Sequence, residues 1–352
     1  MLEKYMNKLD ALKFMALEGA LYSRSGIYFL ESFPLIYMDQ LIRFGKITKP
    51  DEQLPQDELL SEVQNLIRKD VENIKNKVYP ASALRIENPV KHSFNLLKIY
   101  KDSIKVNLNK KNNKSKVFSK KAKSKTKDLP DYYTRNFHHQ TDGYLSEESA
   151  QLYDQQVEML FRGTGDPMRR IILEPMREHF ERDQRFRVIE VSCGTGVSTY
   201  PLAKTFEDAR ITATDISEDY ISHSKKAYAN LKNVSFRAEK AEDLNAKDNS
   251  YDAWCSTYMF HELPKEVRIN VLNEAYRVLK PGGHIYIVDS IQEGDNQVFE
   301  GLLDSFPQNF HEPFYKNYIQ HPMENLVKEA GFEEINSKFR FSSKVIWGTK
   351  PL

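Results

Sequence analysis

The sequence predicts an α/β domain on a mainly parallel sheet, preceded by a helical region. Three observations carry this. Short apolar runs at Val188–Val191, Ile211–Thr214, Asn233–Arg237, Tyr251–Thr257 and Ile285–Val288 alternate with segments of helical periodicity. Such alternation implies right-handed crossovers between parallel strands. A tight small-residue turn, Ser192-Cys-Gly-Thr-Gly196, follows the first run, and an acid, Asp215, closes the second. Finally, a chain of 352 residues exceeds one such domain of about 220 residues, so a second region is expected.

The turn presents backbone to a ligand, and the acid presents a carboxylate to paired hydroxyls. A dinucleotide fingerprint requires a third glycine, but Thr199 stands there. Glu190 inside the strand end would repel phosphate and favours a cationic ligand. Further along, Lys265 to Leu279 reads as a helix with Val267, Val271, Leu272, Ala275 and Val278 on one face. Lys280-Pro-Gly-Gly283 stops it and turns into the fifth strand. Met323 to Ala330 reads as the last helix, ended by Gly331, with strands near Glu334–Phe341 and Lys344–Thr349.

Residues from about 131 to 352 resemble the class I S-adenosylmethionine-dependent methyltransferases, especially those acting on small molecules. The matching stretches are Glu190-Val-Ser-Cys-Gly-Thr-Gly196, Asp215-Ile216, Ala241-Glu-Asp-Leu244 with Asp248-Asn-Ser-Tyr-Asp252, and Leu279-Lys-Pro-Gly-Gly283. Ser192 departs from the pattern where many members carry glycine. The resemblance implies a Rossmann-like seven-stranded sheet whose last strand is antiparallel, here with an N-terminal helical domain. It also implies the cofactor S-adenosyl-L-methionine. Ser192, Gly194, Thr195 and Gly196 would pass under the methionine part with Glu190 near its ammonium. Asp215 would bridge the ribose hydroxyls, Ile216 would pack on the adenine, Ala241 and Glu242 would meet its edge, and Ser256 with Thr257 would close the floor.

The expected division is a helical domain at 1–100, a lysine-rich flexible linker at 101–130, a helical lid segment at 131–180 and the methyltransferase domain at 181–352. In the first, Leu9, Leu12, Met15, Ala16 and Ala20 recur at helical spacing, as do Leu59, Leu60, Val63, Leu66 and Ile67. Pro50 and Pro55 separate these pieces, and Asp57 is placed as a cap. The domain could cover the cofactor site or mediate a homodimer. Gly26 to Ile42 is interrupted by Glu31, Pro34 and Asp39, and is too short to span a bilayer. A peripheral membrane contact through Phe29, Phe33, Leu35, Ile36 and Tyr37 competes with burial, and burial is the expectation.

Lys110 to Lys127 is dominated by Lys, Asn and Ser and reads as a solvated tether. Its lysines could meet RNA phosphates, but interleaved aromatics for base stacking are missing, so nucleic acid is not the expected partner. The net charge of +1 supplies no whole-molecule field for nucleic acid either. The amino terminus lacks a basic region before an apolar core, so no signal peptide is expected. Only Cys193 and Cys255 occur, which cannot build a disulfide framework. They read as packing residues in a cytoplasmic protein.

Two aromatic segments flank the predicted site. Tyr133, His138, His139 and Tyr144 precede the helix Ser146–Phe161, which would turn Leu152, Val157, Leu160 and Phe161 inward. In the resembled family this segment folds over the cofactor as a lid. Tyr258, Phe310, Phe314 and Tyr315 complete the candidate acceptor pocket. No metal is expected, because adjacent His138 and His139 point apart and no ligand cluster joins them. Methyl transfer is an in-line displacement that rests on positioning and desolvation. Should the acceptor need a base, His261 at the end of the fourth strand is the first candidate and His311 follows. In the resembled family, members acting on amino groups of bases or glutamine often carry Asn or Asp followed by Pro-Pro-Tyr after strand four, so Ser256-Thr-Tyr-Met259 there implies other targets. The reading is therefore methylation of a small, partly apolar organic acceptor. An RNA or protein methyltransferase using the basic linker as a substrate arm, or a non-catalytic S-adenosylmethionine-binding module, are the alternatives.

Overall fold

The computed structural model describes residues 2–46, 56–112, 114, 116–137, 140–301, 303 and 312–352. Its centre is a seven-stranded sheet in the order β3-β2-β1-β4-β5-β7-β6. The strands are β1 (Arg187–Val191), β2 (Arg210–Asp215), β3 (Val234–Ala238), β4 (Tyr251–Thr257), β5 (Leu279–Ser290), β6 (Glu333–Arg340) and β7 (Ser343–Thr349). The first five run parallel, while β7 is antiparallel to both β5 and β6. The order reverses at β1, so the carboxyl ends of β1, β2 and β4 open the crevice where an α/β sheet takes its ligand.

Both faces of this sheet are covered, which is why side chains on both faces of its central strands are mostly apolar. Ile189, Val191, Trp254, Ile285 and Ile287 enter the core under α10 (Lys265–Val278) and α12 (Met323–Glu329). Their neighbours Val188, Ala253, Cys255, Tyr286 and Val288 enter the opposite core under α7 (Leu173–His179) and α8 (Thr199–Thr205). This is the period-two alternation of strands. Helix α10 buries Val271, Leu272, Ala275 and Val278, the expected face.

Among the described residues, four α-helices precede the lid: α1 (Leu2–Phe44), α2 (Gln56–Lys75), α3 (Pro89–Lys111) and α4 (Lys120–Lys125). Helix α5 (Glu147–Leu160), capped by Ser146 accepting from the Ser149 amide, joins them to α9 (Glu218–Ala227) of the sheet domain. Between α5 and α7 lies α6 (Gly165–Arg170), and α11 (Tyr315–Ile319) precedes α12.

Three expectations about these helices change. The α1 positions Leu12 and Met15, read as a core stripe, are 55% and 68% exposed, and half-buried Phe14 and Leu17 face inward instead. Phe29, Ile36 and Tyr37, expected to be buried, are likewise exposed. Spacing identifies a helix, but it does not say which apolar stripe finds a partner. On α5, Leu152 is buried as expected, yet Val157, Leu160 and Phe161 are only half-buried, and Gln155, Glu158 and Met159 take the interior.

Ion pairs account for the acid on that interior face. Arg24 of α1 reaches Glu158 at 3.1 Å and Glu87 at 2.6 Å, and Arg169 of α6 meets Glu158 at 3.4 Å. Asp70 of α2 takes Arg170 of α6 through two bonds at 2.7 and 2.9 Å. A buried charge requires such a partner, and removing one leaves the other uncompensated. The lysine-rich stretch is also more structured than a tether. Ser119 donates through its amide and hydroxyl to Asp142, and the Val117 amide donates to Asn136 at 2.6 Å. Asp57, placed as a cap, sits inside α2 as a first-turn acid. Pro50 and Pro55 lie outside the described residues.

Candidate active site

The turn after β1 is built on left-handed backbone. Ser192, Gly194 and Gly196 have φ of 54°, 55° and 82°. At Gly196 a Cβ would fall 2.8 Å from Tyr228 Cδ2, so only glycine fits. At Gly194 a Cβ would meet no atom within 4 Å, so the turn faces open space there. Ser192 accepts the strain of positive φ that glycine would avoid.

Asp215 is fixed at the end of β2. Its Oδ2 accepts from the Gly194 amide at 2.9 Å and its Oδ1 from the Ser217 amide at 2.8 Å. Ser217, not Asp215, caps α9, accepting from the Tyr220 amide. Burial pushes the Asp215 carboxyl up to about 6, against the two amides that favour its charge. Glu190 is buried, receives the Thr199 hydroxyl at 2.5 Å, and is pushed up by burial to about 7. Neither acid has an ion pair among the described residues. Thr195 donates to Asp154 of α5 at 2.5 Å.

Ser256 Oγ, fully buried at the end of β4, has no hydrogen-bond partner among the described residues. Two uncompensated acids, an orphaned hydroxyl and open space over Gly194 fit a ligand that brings a cation and its own polar groups. S-adenosylmethionine is such a ligand. Ile216 and Ala241 are half-buried beside these groups in sequence. Glu242 is no free loop acid, since Tyr132 of the lid donates to it at 2.6 Å.

The lid folds onto this end of the sheet. Tyr144 donates to Glu262 at 2.6 Å, and its carbonyl accepts from the Ser217 hydroxyl at 2.7 Å. Tyr144 packs against Tyr133, Tyr153 and Tyr220 with ring centroids 5.5 to 5.9 Å apart. A wall of tyrosines therefore closes over Asp215 and Glu262.

His261 occupies the turn Phe260–Glu262 after β4, 7% exposed. Its Nδ1 lies 2.6 Å from Asp289 at the end of β5, and Asp289 also accepts from the amides of Phe260 and Ser290. Burial lowers the affinity of His261 for a proton, but Asp289, Glu312 and Glu262 together outweigh it and hold the imidazole at about 9. It is therefore an imidazolium at neutral pH, not the near-neutral titrator expected from its residue type.

Tyr258, Tyr315 and Tyr318 surround the His261 ring at centroid distances of 6.3, 6.0 and 6.2 Å. Tyr258 has φ of 56°, a strain stored where the chain leaves β4. Fully buried Arg268 ties this turn to the aromatic insert, donating to the carbonyls of Phe260 and Phe314 at 2.9 and 3.1 Å. Phe314 is half-buried with the Arg135 guanidinium over its ring. His261, Glu262 and Glu312 bring one ligand-type atom each within 4.8 Å of one another, donor types that could hold a metal ion. The proton on His261 already offsets part of that negative charge. Burial raises both cysteine thiols well above their usual range, so they stay neutral packing groups.

His138, His139, Phe310 and His311 lie outside the described residues. Sequence reasoning missed Asp289, Glu262, Tyr153 and Tyr220. Asp289 carried a signal: an acid ending the buried run Ile285–Val288, at the carboxyl edge of a parallel strand.

A family of methyltransferase domains matches residues 188–283. The chain is 31% identical over 168 residues to a demethylmenaquinone methyltransferase of Listeria monocytogenes, covering 42% of this chain and 70% of that protein. It is 29% identical over 185 residues to the ubiquinone/menaquinone biosynthesis C-methyltransferase UbiE of Rickettsia bellii, covering 43% and 70%. A fatty-acid O-methyltransferase of Mycolicibacterium smegmatis is 34% identical over 122 residues, covering 34% and 43%. With the sheet order and the cofactor turn, these place the chain in the class I S-adenosylmethionine-dependent methyltransferases. It is an enzyme of that family, and S-adenosylmethionine is its cofactor.

Proposed function

We propose that the chain methylates a small, partly apolar organic acceptor held between the cofactor turn, the tyrosine wall and His261. The wall carries this reading: Tyr133, Tyr144, Tyr153 and Tyr220 are packed ring to ring near the strand ends, an aromatic surface suited to a small, partly apolar molecule. The relatives named for a quinone biosynthesis step and for a fatty acid support an acceptor of this kind.

The cofactor supplies an electrophilic methyl group when bound. On this reading Asp215 holds its ribose hydroxyls and Glu190 favours its positive end, with Ser192, Gly194, Thr195 and Gly196 beneath it. Ile216, Ala241 and Glu242 frame the adenine, and Ser256 offers a hydroxyl from the floor. The chain then positions the acceptor and excludes water. Tyr258, Phe314 and Tyr315 contribute the apolar side of the pocket. On this reading His261 takes the proton when the acceptor is a hydroxyl. It can do so only once neutral, so that step strengthens as pH rises toward about 9.

The test is incubation with methyl-labelled cofactor and a fractionated small-molecule extract, followed by mass analysis. Label in a low-mass, partly apolar product supports the proposal. Label found only in RNA or protein would refute it in favour of a macromolecular substrate.

A further inference from the structure

We propose that the outer face of α1 and α3 is a docking surface for an anionic lipid bilayer. Of the twenty large apolar residues exposed among the described residues, fourteen lie on these two helices. They form stripes rather than scatter. On α1, Leu12, Met15, Ile27, Leu30, Tyr37 and Phe44 recur in steps that keep one side of a helix. On α3, Val90, Phe94, Leu97, Ile104 and Leu108 do the same. Exposed apolar surface of this extent and continuity marks an interaction site.

The two stripes share one side. Helices α1 and α3 lie next to each other, tied by the Tyr100 hydroxyl donating to the Glu31 carbonyl at 2.9 Å and by His92 at 2.8 Å from Glu31. Both also pack on α5. Their sides away from α5 therefore face outward together.

Charge chooses the occupant. Residues 89–127 hold thirteen lysines and one acid, Asp102, in a chain whose net charge is only +1. Lys98, Lys101 and Lys105 are exposed beside Leu97 and Ile104. A second copy would bring two such lysine clusters together. RNA phosphates would satisfy the lysines but leave the aliphatic stripes in water. A bilayer interface accepts both: apolar side chains enter the acyl boundary while lysine stems snorkel to anionic headgroups. No described helix is long and apolar enough to cross a membrane, so the seat is peripheral.

The test is flotation of the full chain with vesicles of phosphatidylcholine, with and without phosphatidylserine. The chain is expected to float with the phosphatidylserine vesicles, and to be released as salt screens the lysines. Each of Lys98→Gln, Lys101→Gln and Lys105→Gln should weaken binding about fivefold. The double variant Phe94→Asp, Leu97→Asp should weaken it roughly tenfold or more, while S-adenosylmethionine affinity and the melting profile stay as in the wild type. Three results would overturn the proposal: no flotation at low salt, flotation indifferent to the Phe94 and Leu97 changes, or an RNA gel shift without vesicle binding. A lipid-free dimer dissociated by the same double variant would also overturn it, assigning the face to a second copy.

Discussion

Replacing Asp289 by asparagine should convert His261 from an imidazolium into a neutral imidazole at physiological pH. Asp289 is fully buried and contacts His261 Nδ1 at 2.6 Å. With Asp289 present the imidazole sits at about 9, against an ordinary value of 6.5. Asp289 is the largest of the raising charges, ahead of Glu312 and Glu262, and burial acts the other way, so without the Asp289 charge the value should fall back toward the ordinary one. A shift of this size corresponds to about 3 kcal/mol of preference for the charged form. The sign follows for stability. A histidine whose folded value is raised stabilises the fold fully below its unfolded value near 6.5, and that contribution disappears as pH rises through about 9. Wild type should therefore lose stability relative to Asp289→Asn between those two pH values. The assay is a proton NMR titration of the His261 ring in both proteins, paired with denaturant melts across the same range. A wild-type midpoint near 6.5, or a midpoint unmoved by Asp289→Asn, would refute the reasoning.

Other outcomes follow from the same geometry. The acids Asp215 and Glu190, raised to about 6 and about 7 by burial, must be ionised to favour a cationic ligand. Calorimetric affinity for S-adenosylmethionine should therefore increase from pH 5 to 7 with proton release, which buffers of different ionisation enthalpy report; a flat profile without release contradicts it. Ser192→Gly removes a left-handed serine and should raise unfolding stability by about 1 kcal/mol after glycine's own entropy cost; a lower denaturation midpoint would contradict it. Gly196→Ala places a methyl 2.8 Å from the Tyr228 ring at positive φ, so cofactor binding should fall with a stability loss of roughly 2 kcal/mol or more. Unchanged binding and stability would show that the turn tolerates a side chain there.

The sheet was readable because its strands are buried on both faces, and continuous apolar runs such as Ile285–Val288 leave few alternatives. The cofactor turn was readable because glycines and acids occupy positions set by backbone geometry. Contacts between distant segments were not. Tyr144 reaches Glu262 and Asp289 reaches His261 only after folding, and no local period announces either pair. The inward face of α5 was misread because Glu158 is buried through Arg24 and Arg169, and partners far along the chain can make a charged residue an interior one. The α1 stripe erred in the opposite sense: its spacing is that of a core helix, but nothing among the described residues covers Leu12 and Met15.

The measurement closest to the central claim is calorimetric titration of the wild type and Asp215→Ala with S-adenosylmethionine. Binding by the wild type, weakened roughly tenfold or more in the variant through loss of a charged hydrogen-bond acceptor, is the predicted result. Absence of binding, or equal affinity in the two proteins, would contradict the cofactor site as described.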